Sequence, residues 1–198
     1  MRSLTPSSTF TRRALLAWWF TALAAFAGAT LLASGPACAG VPEPAYDAAF
    51  QQFQQAAAGS DTKAIEAAAE QFGQLAATDP ADPVLLAYSG AATTMRATTT
   101  MLPWRKMGYA EDGLAQLDKA LALLKPEHDA PLHRNVPATL ETRLVAANTF
   151  MRLPAMFNRH ARGVRLLDEV QKSPLLAGSP AGFKAAVAAA QSRAKETQ

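Results

Sequence analysis

From about residue 44 onward, apolar side chains recur at helical spacing, and the runs are broken at Pro, Gly and Asp. Tyr46, Phe50, Phe53 and Ala57 lie at i, i+4, i+7 and i+11, one stripe of a helix over about 44–58. "GSD" (59–61) interrupts it, and Asp61 is placed to cap a second helix carrying Ile65, Ala68, Phe72 and Leu75. "TDPADP" (78–83) reads as a turn, with Asp82 as the next cap and Pro83 at the first helical position, ahead of Val84, Tyr88, Ala91 and Met95. A fourth stripe, Met107, Leu114, Leu117, Leu121 and Leu124, fills about 104–124 and stops at Pro126. After the long loop 125–137 comes a fifth stripe of Leu140, Leu144, Ala147 and Met151. Pro154 is expected to open a sixth helix with Phe157, His160, Val164 and Leu167 inward, and 173–180 to precede a last one with Phe183, Val187 and Ala190. No strand pattern competes, so the expectation is an all-α fold of about seven helices.

The first 39 residues have a different character. Met1–Arg13 is basic, residues 14–33 carry no charge, and Ala37-Cys38-Ala39 satisfies the small-x-small rule for signal peptidase. Residues 1–39 therefore read as a cleaved export leader and 40–198 as a single helical domain, which places the protein in the periplasm. "TRRALL" (11–16) partly matches a twin-arginine signal but lacks the usual Phe and Lys. Cys38, the only cysteine, also permits a lipoprotein reading, although Gly35 stands where Leu is preferred. Membrane contact is expected only through the leader or a lipidated Cys38. Cleavage would leave no thiol for disulfides, metal or nucleophilic chemistry.

Charge then adds polarity to the picture. Beyond the leader, 16 basic and 16 acidic residues balance, but residues 40–90 hold seven acids against Lys63 while 91–198 hold fifteen bases against nine acids. The alanine content and the scarcity of Val and Ile agree with helix.

Three even-numbered helices share a small-x3-large-x2-apolar signature: Ala68/Phe72/Leu75, Gly113/Leu117/Ala120 and Gly163/Leu167/Val170, with Pro80 and Pro126 following the first two. Gly90 in "LAYSGAA" matches the small residue of a first helix. On these residues the chain resembles a tetratricopeptide-repeat protein over roughly 44–172. The small residues lie 45 and 50 positions apart, against a family period of about 34, and "RATTTMLPWRKMGY" looks like an insertion. The resemblance implies a short α-solenoid of stacked antiparallel helix pairs that binds a partner rather than catalysing a reaction.

Candidate chemistry concentrates in basic and aromatic residues. On a wheel started at Phe157, Arg159, Arg162 and Arg165 fall opposite the apolar stripe, either as a solvated outer face or as an anion-binding surface joined by Arg96, Arg105, Lys106, Arg134 and Arg143. Trp104, Arg105 and Tyr109 would make an aromatic–cationic pocket, or the two aromatics would pack between lengthened helices. His160, on the apolar side, reads as a hydrogen-bonded core histidine; with Met156 and the other methionines it admits a soft copper site. No HExxH, Gly-x-Ser-x-Gly or P-loop occurs, so neither a catalytic set nor a cofactor is assigned. An exported chain without an aromatic–glycine binding motif argues against nucleic acid. The expected function is an envelope adaptor holding a protein or peptide, acidic in character, through a groove or the basic helix face. The alternative is a periplasmic carrier of a small ligand or metal using the pocket around Trp104, Met107 and His160.

Overall fold

The computed structural model describes residues 40–59 and 61–196. The leader of residues 1–39, with Cys38, lies outside the described residues. The described chain is all-α: eight helices, α1 (Glu43–Ala58), α2 (Thr62–Thr78), α3 (Pro83–Met95), α4 (Pro103–Ala122), α5 (Ala138–Arg152), α6 (His160–Lys172), α7 (Leu175–Gly178) and α8 (Ala181–Glu196), packed as successive pairs in a solenoid-like stack. The eighth helix is the single turn α7, in the segment expected to be loop. No described helix is long and apolar enough to cross a membrane.

Local signals set the boundaries. Asp61 accepts a hydrogen bond from Lys63 N at 3.0 Å, and Asp82 Oδ1 accepts from Val84 N at 2.7 Å and Leu85 N at 3.2 Å, satisfying N–H groups that have no partner within the helix. Pro83 and Pro103 occupy first-turn positions, where a missing N–H is harmless.

α3 is the central helix. It packs against α2, α4 and α5, and eleven of its thirteen residues are buried. One continuous core runs from Tyr46 and Phe72 through Leu85, Leu117 and Leu140 to Phe150, Val170 and Phe183. Where α3 crosses α4, two glycines meet backbone to backbone. A methyl group on Gly113 would stand 2.5 Å from the Gly90 carbonyl oxygen and collide with Thr94 Oγ1. Gly163 of α6 meets the Ala147 carbonyl of α5 in a similar way, at 3.0 Å from its added methyl.

Two expectations need correction. The segment 125–137 contains a two-stranded antiparallel hairpin, β1 (Pro131–His133) and β2 (Val136–Pro137), turned by Arg134 (φ 49°) and Asn135 (φ 56°). Positive φ at both central residues is the two-residue turn that matches strand twist; Asn accepts it readily, Arg rarely. The second correction concerns the sixth helix. Pro154 opens only a 3-10 turn, Ala155–Phe157; Asn158 then turns left-handed (φ 50°, ψ 41°), and α6 starts at His160. The wheel begun at Phe157 is thereby broken, and the buried positions of α6 are Gly163, Leu166, Leu167 and Val170.

Because Gly113 has no room for a methyl group, Gly113→Ala is expected to lower the unfolding free energy by about 2 kcal/mol. Gly108, also in α4 but with nothing within 4 Å of an added methyl, should gain about 0.5–1 kcal/mol on mutation to Ala. Urea unfolding of both variants beside the parent measures the contrast.

Candidate functional site

Helices α1, α3 and α5 turn aromatic and aliphatic side chains toward a common space. Phe50 and Phe53 of α1, Tyr88 and Met95 of α3, and Leu144 and Val145 of α5 line a half-open groove of about 1160 Å³. The first turns of α4 add Pro103, Lys106 and Met107, and α8 adds Phe183, Ala186 and Ala189. The lining is mostly apolar. Its charged members are Lys106, Arg134, Arg152, Arg193 and one acid, Glu141.

Glu141 is the organising residue of the groove floor. It lies on α5, only 1% exposed, and its Oε1 accepts hydrogen bonds from Tyr46 at 3.0 Å and Tyr88 at 2.9 Å as well as an ion-paired hydrogen bond from Arg134. One carboxylate thus ties α1, α3 and the hairpin to α5. Burial, reinforced by the neighbouring Glu141 charge, holds both tyrosine hydroxyls well above the usual phenol range, so they remain donors. Arg134 lies over the Phe50 ring at 3.4 Å, and burial opposes its charge, but Glu141 more than compensates and keeps it protonated. Glu141 Oε2 and Arg134 Nε are buried without a hydrogen-bond partner among the described residues.

Beside this pair the hairpin anchors itself again. His133 stacks on Tyr46 at 4.0 Å, its Nε2 lies 2.7 Å from Asp82 Oδ2 and its Nδ1 lies 3.3 Å from Glu43 Oε2. Asp82 therefore caps α3 with one oxygen and holds the hairpin with the other. Burial of the ring disfavours protonation, but the hydrogen bonds and charges of Asp82 and Glu43 outweigh it, and the imidazole pKa is raised from 6.5.

The residues singled out from the sequence do not converge on one site. Arg159 and Arg162 both hold Asp118 of α4, Arg159 Nη2 at 2.9 Å, and both lie over Phe150 at 5.6 and 5.2 Å. They fasten helices together and are not simply a solvated face; Arg165 is exposed. Arg143 pairs with Glu169 at 3.3 Å. Of the set, Lys106 and Arg134 line the groove, with Arg105 and Trp104 exposed beside Lys106. Tyr109 is half-buried under Arg96, whose guanidinium stands 4.3 Å from the ring centre and pairs through Nε with Glu66 at 2.8 Å. Arg105 is thus not the cation on Tyr109, and Trp104 does not pack between helices. His160 is half-buried, and its Nε2 has no hydrogen-bond partner among the described residues, contrary to the core histidine expected. The break at Asn158 puts Met156 on a different element from His160, which removes their one-turn spacing.

Sequence reasoning passed over Glu141, His133 and Arg152. The available signal for Glu141 was an acid between Leu140 and Leu144, inside an apolar helix. Compared with known protein families, with characterised proteins and with solved structures, the chain has no match in any of the three.

Two predictions follow the geometry. Glu141→Ala strands a half-buried guanidinium and two buried phenols and should destabilise by about 3 kcal/mol in urea unfolding, with Glu141→Gln losing less because it keeps an acceptor. A raised folded-state pKa means that His133 contributes stability in full below 6.5, and that this contribution fades as pH rises through the folded value. The urea midpoint should fall over that interval, and His133→Gln should flatten the profile.

Proposed function

We propose that the chain is an exported, tetratricopeptide-like adaptor that holds an extended, acidic polypeptide segment in the groove between α1, α3 and α5. The observation that carries this reading is the groove itself. At about 1160 Å³ and half open, it exceeds the roughly 300–1000 Å³ of ordinary small-molecule pockets. Its walls come from α1, α3 and α5, completed by the first turns of α4 and by α8, and stacked helical repeats receive extended ligands on such concave surfaces. The lining supports an acidic occupant, because Glu141 and Arg134 neutralise each other and the other three charged lining residues, Lys106, Arg152 and Arg193, are all basic. Buried Glu141 Oε2 and Arg134 Nε add unspent hydrogen-bonding capacity at the floor. The helix-six arginines take no part in this reading; none of them lines the groove.

Display of random extended peptides against residues 40–198 tests the proposal. Acidic sequences with alternating apolar residues should be enriched. Ala186→Trp, which fills the groove from an exposed position on α8, should weaken their binding by about tenfold or more. Arg165→Ala, exposed and outside the groove, should leave binding unchanged. Enrichment insensitive to Ala186→Trp would place the site elsewhere. A groove that takes up an apolar dye and releases it only to small amphiphiles would turn the adaptor into a carrier.

A further inference from the structure

A soluble domain normally scatters its exposed apolar side chains singly. Here five large apolar residues stand exposed among the described residues, and three of them fall in one short stretch: Met101 at 87%, Leu102 at 39% and Trp104 at 68%. A fourth, Met156 at 72%, lines the groove together with Pro103 and Lys106, so the apolar group borders the groove mouth. Every residue from Met101 to Lys106 is exposed, and Arg105 and Lys106 follow Trp104 directly. Between Arg96 and Ala110 there is no acidic residue. Leu102 caps α4 without a side-chain hydrogen bond, which leaves the positive end of a twenty-residue helix facing outward at the same place.

We infer that Met101–Lys106 docks on an anionic lipid surface, with Met101, Leu102 and Trp104 entering the headgroup–acyl boundary and Arg105 and Lys106 meeting lipid phosphates. An aliphatic tip, an amphipathic indole and adjacent cations without an acid are the chemistry that such an interface rewards. The unit from residue 40 onward has no net charge, so attraction would come from this local group and not from bulk electrostatics. Docking in this orientation turns the groove mouth toward the bilayer. The inference differs from the sequence expectation that membrane contact runs only through the leader or a lipidated Cys38, and it stands independently of what fills the groove.

The test uses residues 40–198, which contain the whole described core and in which Trp104 is the only tryptophan, the others being Trp18 and Trp19. Vesicles of phosphatidylcholine mixed with phosphatidylglycerol should shift Trp104 emission to the blue and allow quenching by brominated acyl chains. Pure phosphatidylcholine should do so far less, and added salt should reverse the effect. Arg105→Glu/Lys106→Glu, both exposed, should reduce vesicle co-sedimentation by about tenfold or more while leaving the urea midpoint unchanged. Unaltered emission with anionic vesicles, equal binding by the charge-reversed variant, or equal binding to neutral vesicles would each overturn the inference. So would a blue shift that grows with protein concentration in the absence of lipid, which would identify a contact between copies instead.

Discussion

A carboxylate can remain in a protein interior only if its charge and its lone pairs are met there, and that requirement on Glu141 organises the groove end of this molecule. Tyr46 comes to it from α1, Tyr88 from α3 and Arg134 from the hairpin, so three elements are fixed relative to α5 by one side chain. The aromatic rings then assemble around those fixed points. Tyr88 stacks on Phe72 at 4.8 Å and meets Phe53 edge-on at 4.9 Å, while Tyr46 sandwiches against His133. The left-handed backbone at Arg134 fits this account, since a rarely adopted conformation persists where its surroundings over-determine it. Here the surroundings are a buried anion and the Phe50 ring beneath the guanidinium.

The pairs of helices, their caps and most of their inward faces were legible in the sequence because each depends on neighbours in the chain. Asp61, Asp82 and Pro83 act within a turn of where they stand, and the stripe of α2 buries Ile65, Ala68 and Phe72 as its period requires. Gly90 and Gly113 were visible as small residues, and their meeting explains why they are small. What escaped was everything decided by distant partners. Tyr46 and Glu141 are 95 residues apart, and nothing local says that two apparent core tyrosines share an acid. The hairpin was read as loop because Pro131, Arg134 and Pro137 carry no strand propensity; tertiary anchoring of His133 and Arg134 builds it.

The basic residues illustrate the same division. A helical wheel assigns a side chain to a direction but cannot say which neighbour lies there. The wheel sets Arg159 and Arg162 opposite the apolar stripe, yet both find Asp118 and the Phe150 ring, so a surface that looked free in sequence became a clasp onto α4. Conversely Trp104, which a sequence reader would place inside, stands out in solvent beside Lys106. The opening of the groove thus brings together residues from α4, α5 and the turn before α6 that had no reason to be grouped in advance.

The glycine seams have a mechanical meaning. Where Gly90 faces Gly113, and Gly163 faces the Ala147 carbonyl, main chains approach closely, with Thr94 and Met151 packed beside the contacts. α3 with α4, and α5 with α6, therefore behave as two stiff plates. α8 is seated differently, through Phe183, Val187, Ala190 and Ala194, side chains that repack more easily than a backbone yields. The groove accordingly has unequal walls. One side imposes its shape on an occupant, and the other takes the shape the occupant leaves.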